Sequence, residues 1–139
     1  MEKLAKARPL VAGTAEGQAV VSREPLSFWG GYDYRTGEII DRRHPLSGVR
    51  AAGAILALPY ARGSSTTTAV LLEAVRAGTA PAAILTTGED TFFALAAIVA
   101  EEMYRKPFCV AAIDSSGFER LQSGQWLRLE EDGTIYLVR

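Results

Sequence analysis

The densest cluster of hydroxyl groups in the sequence is the run Arg62-Gly63-Ser64-Ser65-Thr66-Thr67-Thr68. It falls between an apolar run at 53–58 (GAILAL), closed by Pro59, and a pattern that reads as a helix from about Ser65 to Ala77. In open α/β sheets, ligands bind at the carboxyl ends of the strands, which is where this run sits. Gly63 permits a tight turn with close backbone approach. The first N–H groups of the following helix have no intrahelical partner and carry about half a positive charge. Such a site suits a carboxylate, a phosphate, or a serine oxygen that must bear negative charge. A serine hydroxyl is a poor base at neutral pH, so that support matters. The same residue types are also the preferred helix caps, and one of Ser64, Ser65 or Thr66 has to cap this helix. Five consecutive hydroxyl residues exceed what one cap needs.

A second candidate is the aperiodic stretch Pro25-Leu26-Ser27-Phe28-Trp29-Gly30-Gly31-Tyr32-Asp33, continuing to Asp41-Arg42-Arg43-His44-Pro45-Leu46. So long an irregular segment is usually functional or packed against a partner. Phe28 and Trp29 are expected to be exposed beside the Gly-Gly pair, either as the apolar wall of a pocket or as a cover for the open end of a sheet. Asp33 with Thr36-Gly37 reads as an ordinary turn. His44 suits an acid, a base or a phosphate carrier, and equally a hydrogen-bonded loop anchor. Asp41 either orients it or pairs with Arg42 or Arg43. A Ser64–His44–Asp41 triad can be written down, but no spacing supports it.

The elements that must hold these residues follow from periodicity. Residues 10–22 (LVAGTAEGQAVVS) predict two short strands around a turn at Glu16-Gly17. After the 53–58 strand, Ala69, Leu72 and Val75/Arg76 mark the apolar side of the first helix, which Gly78 closes. Residues 81–86 (PAAILT) predict a second buried strand. Asp90 caps a second helix from Thr91 to about Arg105, with Leu95, Ile98, Val99 and Met103 along one apolar side. Residues 108–113 form a third strand, in which Cys109 is an inert packing residue. A hairpin over 125–129 and 134–138, turning at Asp132-Gly133, ends the chain. Strand–helix–strand–helix–strand predicts an α/β fold: a small parallel sheet with right-handed crossovers, flanked by β-hairpins.

Composition excludes much else. The 139 residues make one domain, with 48% apolar and 22% charged residues. Fifteen Lys+Arg against sixteen Asp+Glu leave a formal charge of −1, so nothing points to nucleic acid or an anionic membrane. The longest apolar stretch, 91–104, is broken by Glu101 and Glu102, short of the ~20 residues that span a bilayer. The opening MEKLAKARPL has no apolar core of a secretory signal, and a cytoplasmic location is expected. One cysteine and one histidine rule out an intrachain disulfide, a Cys/His zinc site and a self-supplied iron–sulfur cluster. Metal or cluster chemistry would need ligands from another chain.

Gly13-Thr14-Ala15-Glu16-Gly17, Leu26-Ser27-Phe28-Trp29-Gly30-Gly31 with Asp33, Thr36-Gly37, Asp41, His44-Pro45-Leu46 and Gly48 occur in the order found in one family. Arg62-Gly63-Ser64-Ser65 and Gly78-Thr79-Ala80-Pro81-Ala82-Ala83 extend the match over most of 11–86. In these motifs the sequence resembles the small subunit of aconitase X dehydratases. The resemblance implies a swivelling β/β/α domain that closes over a large subunit carrying an iron–sulfur cluster, the pair removing water from a small hydroxy acid. It places the catalytic base on Ser64, with Gly63 and Ser65 shaping the turn. Where the wider aconitase pattern has an arginine after the two serines, this chain has Thr66, and Arg62 is the substitute for holding substrate. Two activities are attached to the family: dehydration of cis-3-hydroxy-L-proline to pyrroline-2-carboxylate, and dehydration of phosphomevalonate. With no lysine near the hydroxyl run, the sequence leans to the first. Two readings from other classes are a phosphohistidine swivel carrier using His44, and a non-catalytic module that docks a partner through its SFWGG surface.

Overall fold

The computed structural model describes residues 1–62 and 65–139. In chain order the elements are β1 (Glu2–Lys6), β2 (Arg8–Val11), β3 (Ala15–Val21), β4 (Leu26–Ser27), β5 (Tyr32–Asp33), β6 (Glu38–Ile39), β7 (Ile55–Leu58) and β8 (Ala61–Arg62). They continue with α1 (Ser65–Ala77), β9 (Ala83–Thr86), α2 (Thr91–Tyr104), β10 (Cys109–Ala112), α3 (Ser115–Phe118), β11 (Trp126–Leu129) and β12 (Thr134–Leu137). Both long helices and the three central strands lie where periodicity predicts them.

The main sheet has eight strands in the order β1-β12-β11-β3-β7-β9-β10-β2. Strands β3, β7, β9 and β10 run parallel, with α1 and α2 as the crossovers after β7 and β9. The two ends of this order, β1 and β2, are consecutive stretches of chain separated only by Ala7. The sheet therefore curls until one N-terminal segment serves both edges. Ala7 fastens the corner by donating its N–H to Gly133 O at 2.8 Å.

Side chains on the parallel strands alternate between two cores. Val20, Leu56, Leu58, Ile84 and Val110 face α1, α2 and the 22–54 segment. Ala19, Ile55, Ala57, Ala83, Leu85, Cys109 and Ala111 point to the other face, against Leu127, Leu129, Ile135 and Phe118. The period of two is the strand period, and both of its faces are buried, which is why these segments read as unbroken apolar runs. Small residues fill the inside of the curl, where opposing strands approach.

The structure corrects three expectations about the strands and helices, and a fourth about Phe28. Glu16-Gly17 is not a turn: β3 runs through it, with Gly17 paired to Leu127. Gly17 is there for close approach, since a Cβ would sit 2.6 Å from Gly53 O. Helix α2 buries Phe93, Ala96, Ala97 and Ala100, not the predicted side. Leu95, Ile98 and Met103 are exposed because the close contact with α1 selects the small-residue face. Likewise α1 buries Val70, Leu71, Ala74 and Val75 through its own packing, while Ala69 is exposed and Leu72 is only partly covered. Helix α3 and the strand pairs within 23–50 carry too little periodicity to be predicted. Among the described residues no helix is long and apolar enough to cross a membrane.

The 22–54 segment is packed down over the helical face. Phe28 is fully buried, stacked on Tyr32 (5.1 Å between ring centres) and edge-on to Phe93 of α2 (5.5 Å). The expectation that Phe28 is exposed is thus overturned: it is a core residue. The turn at Asp33 and Gly37 forms as predicted, with Gly37 N–H donating to Asp33 O at 2.7 Å. Tyr32 donates its phenol to Thr79 O at 2.7 Å, and burial raises its pKa well above the usual tyrosine range, opposed by the charge of Arg50. Because the folded state keeps a proton that the unfolded chain releases near pH 10.0, this tyrosine's contribution to stability falls as pH rises past that value. Tyr32→Phe is expected to lose about 1–2 kcal/mol in urea denaturation by orphaning Thr79 O, and to flatten the alkaline decline.

Candidate functional site

Strand β7 ends at Leu58 and the chain turns through Pro59 and Tyr60 into β8, which ends at Arg62; α1 starts at Ser65. Gly63 and Ser64, and the side chains of Arg62 and Ser65, lie outside the described residues. Strand β8 pairs in parallel with β4, Leu26 opposite Ala61 and Ser27 opposite Arg62. The two candidate regions, more than thirty residues apart in sequence, are therefore hydrogen-bonded neighbours. Ser27 is thus the strand partner of Arg62, two residues before Ser64 in sequence.

The β4 end leads into a tight turn. Tyr32 N–H donates to Phe28 O at 3.1 Å, and Ser27 Oγ donates to Trp29 O at 3.3 Å. Gly31 cannot carry a side chain here, because a Cβ would lie 2.1 Å from Ser27 O. The turn sends Phe28 into the core and leaves Trp29 71% exposed. Of the two aromatics predicted as a wall, only Trp29 faces outward.

On the far side, Thr87 donates both its N–H (3.3 Å) and its hydroxyl (3.1 Å) to Pro59 O, tying the carboxyl ends of β9 and β7. Asp90 is the site residue that sequence reasoning saw only as a cap. Its Oδ1 accepts from Phe92 N–H (3.0 Å) and Phe93 N–H (3.1 Å), as a cap should. Its Oδ2 accepts from Ala61 N–H at 2.8 Å, in β8. No local pattern announces that second bond, since its partner is distant in sequence.

Helix α1 has no acidic residue in its first turn, so no first-turn carboxylate offsets the positive end of its dipole. Thr66 is exposed and Thr67 is buried on this turn. Thr68 Oγ1 donates to Phe92 O at 3.3 Å, bracing α1 against α2. The hydroxyl run thus divides by position: Thr67 and Thr68 turn toward the protein, Thr66 toward solvent.

His44 is buried and stands apart from this constellation. Leu46 N–H donates to its Nδ1 (3.1 Å), which leaves Nε2 as the protonated nitrogen, donating to Glu24 O (3.3 Å). Both nitrogens are spent on backbone, the anchor arrangement. Asp41 accepts from Arg43 N–H at 3.0 Å and shapes the same loop. His44 and Asp41 line an open cleft of about 420 Å³ with Glu24, Pro25 and Arg43. A second cleft, about 440 Å³, lies at the carboxyl ends of β9 and β10; it is charge-balanced, with Arg8 paired to Glu89 and Lys6 to Asp132. Cys109 is buried, its thiol pushed up by desolvation and by the charge of Glu131. Among the described residues no group of three or more His, Cys, Asp or Glu gathers to hold a metal ion. The side chains described do not fit a cluster or a metal site.

Comparison with known proteins agrees with this architecture. The model of the aconitase X swivel domain matches residues 4–137. A cis-3-hydroxy-L-proline dehydratase of Pseudomonas aeruginosa is 47% identical over 132 residues, covering 95% of this chain but only 22% of that protein. The chain thus spans about a fifth of the length of that relative. The phosphomevalonate dehydratase small subunit of Thermococcus onnurineus is 35% identical, covering 91% of this chain and 92% of its own. The crystal structure of Thermococcus kodakaraensis aconitase X in its holo-form superposes with a TM-score of 0.85 at 31% identity, over 97% of this chain and 98% of that one. Matched by the family model over residues 4–137 and superposing over nearly its whole length on a solved member, the chain belongs to the aconitase X swivel-domain family.

Proposed function

We propose that this chain is the swivelling small subunit of a cytoplasmic aconitase X-type hydro-lyase, acting with a large subunit to dehydrate cis-3-hydroxy-L-proline to pyrroline-2-carboxylate. The observation that carries the substrate is the 47% identity to a cis-3-hydroxy-L-proline dehydratase, against 35% for a phosphomevalonate dehydratase small subunit. The observation that supports the site is the β4–β8 pairing, which sets Ser27 opposite Arg62, two residues before Ser64 in sequence.

In this reading Ser64 is the general base. Removing the proton beside a carboxylate builds negative charge on the substrate, and the serine oxygen takes that proton as an alkoxide, which returns to the neutral hydroxyl when the proton has moved. The N–H groups that open α1 supply the stabilising field, undiminished by any first-turn carboxylate. Arg62 takes the substrate carboxylate, Gly63 and Ser65 set the turn, and Thr66 and Trp29 border the substrate. The hydroxyl leaves from the neighbouring carbon as water, and the resulting enamine tautomerises to the imine. With a single cysteine, this chain contributes only the proton-transfer side of the reaction; the iron–sulfur cluster belongs to the large subunit.

A phosphohistidine carrier at His44 fits less well, because both ring nitrogens are hydrogen-bonded to backbone and a phosphoryl group on either would displace one bond. A docking module without catalysis predicts that no single hydroxyl matters.

Reconstitution with the large subunit, assayed on both substrates, tests the reading. Turnover of cis-3-hydroxy-L-proline is expected; turnover of phosphomevalonate alone would reverse the substrate assignment. Ser64→Ala is expected to keep the complex, by size-exclusion chromatography, and to lower kcat by roughly 10²- to 10⁴-fold. Full activity in that variant removes Ser64 as the base. His44→Ala is expected to cost about 1–3 kcal/mol of stability by orphaning the buried Leu46 N–H, yet to retain turnover when folded. A mass gain of one phosphoryl group on incubation with phosphoenolpyruvate and a phosphotransferase would favour the carrier instead.

A further inference from the structure

We propose that Asp90 is a positioning residue for Ser64, acting through strand β8, the stretch of chain that leads to Ser64, which it holds in a fixed place relative to the core. The inference rests on the proposed role of Ser64.

A helix cap needs one acceptor oxygen, and a serine, threonine or asparagine serves as well as an aspartate. Oδ1 of Asp90 does the whole of that work on Phe92 and Phe93. Oδ2 instead reaches across 29 positions of sequence to Ala61 N–H. Only a carboxylate offers two such acceptors with no donor among them, which is a physical reason for aspartate at this position. The carboxylate is buried, and accepting three backbone N–H groups offsets the cost of that burial with charge-assisted bonds.

The anchor at the other end is firm. Helix α2 is seated by Phe93, Ala96, Ala97 and Ala100, all fully buried. Ala61 lies three residues before Ser64, on a strand only two residues long. That strand has β4 as its strand partner and the Asp90 oxygen on the Ala61 N–H. A base must be held to within a fraction of an ångström of the proton it takes, so loosening Ala61 moves the base without touching substrate.

Two variants separate the cap from the tie. Asp90→Ser keeps a cap oxygen but is too short to reach Ala61 as well; Asp90→Asn keeps the size but turns an amide donor toward one of its partners. Asp114→Ala is the control, because Asp114 caps α3 through Gly117 N–H at 2.7 Å and its carboxylate otherwise bonds only Ser116 among the described residues. In the isolated chain, Asp90→Ser is expected to speed hydrogen exchange at the Ala61 amide by about tenfold or more, and to lower the ¹⁵N order parameter of Ser64. Asp114→Ala should change neither. In the reconstituted pair, both Asp90 variants are expected to lose roughly 10- to 100-fold in kcat with KM changed less than about threefold. Asp114→Ala is expected to keep kcat even where its Tm falls as far. Unchanged Ala61 exchange, an unchanged Ser64 order parameter, or a kcat loss no greater than the control's overturns the proposal. If Asp90→Ser fails to fold, Asp90→Asn decides by the same readouts. Should the wild-type pair turn over neither substrate, the functional reading fails by itself, and the amide measurements still decide whether Asp90 holds the turn.

Discussion

Three stretches of chain with nothing in common locally are joined by one small group of backbone hydrogen bonds. Leu26–Ser27 lies against Ala61–Arg62, and the Asp90 carboxylate joins the same strand to the start of α2. The Ser27–Gly31 turn and the start of α2 both adjoin this junction, and in the proposed function it is the base on which the site is built. Backbone bonds suit the purpose, because they fix position without depending on long, mobile side chains. The added carboxylate makes one of them charge-assisted in a buried setting, where such a bond is strongest.

The rest of the fold is what keeps that junction still. Four parallel strands bury both faces, so each carries two alternating sets of apolar residues rather than one. Helices and the 22–54 segment cover one face. The curled remainder of the sheet covers the other, with β1 and β2 closing the order through a single residue. The carboxyl ends of the strands remain as the place where loops can meet, which is the general location of ligand sites in such sheets.

The 22–54 segment lacks regular periodicity but is firmly packed. Phe28, Tyr32, Ile39 and Leu46 enter the core, and Tyr32 and His44 pin their stretches through buried hydrogen bonds to backbone. It is therefore a fitted cover, from which the Ser27–Gly31 turn presents Trp29 to the outside. That arrangement separates two residues adjacent in sequence and alike in chemistry: Phe28 contributes to stability, and Trp29 is left to interact with whatever approaches.

The sequence by itself determined the elements governed by local rules. Asp90 caps α2 because its side chain meets the nearby N–H groups whatever the rest of the fold does, and Asp132-Gly133 turns the last hairpin for equally local reasons. The buried runs at 53–58, 81–86 and 108–113 could be read as strands from their length and flanking breakers. The hydroxyl run could be recognised as a candidate from type and position alone. Which side of α2 is buried could not, because Phe93 and the alanines win through close packing against α1, a contact that periodicity does not encode. Gly17 looked like a turn residue, whereas it makes room for Gly53 O, a neighbour brought up by the sheet. The inward placement of Phe28, the anchoring of His44 and the second bond of Asp90 were likewise decided only by tertiary structure, since each depends on a partner 20 or more residues away in sequence.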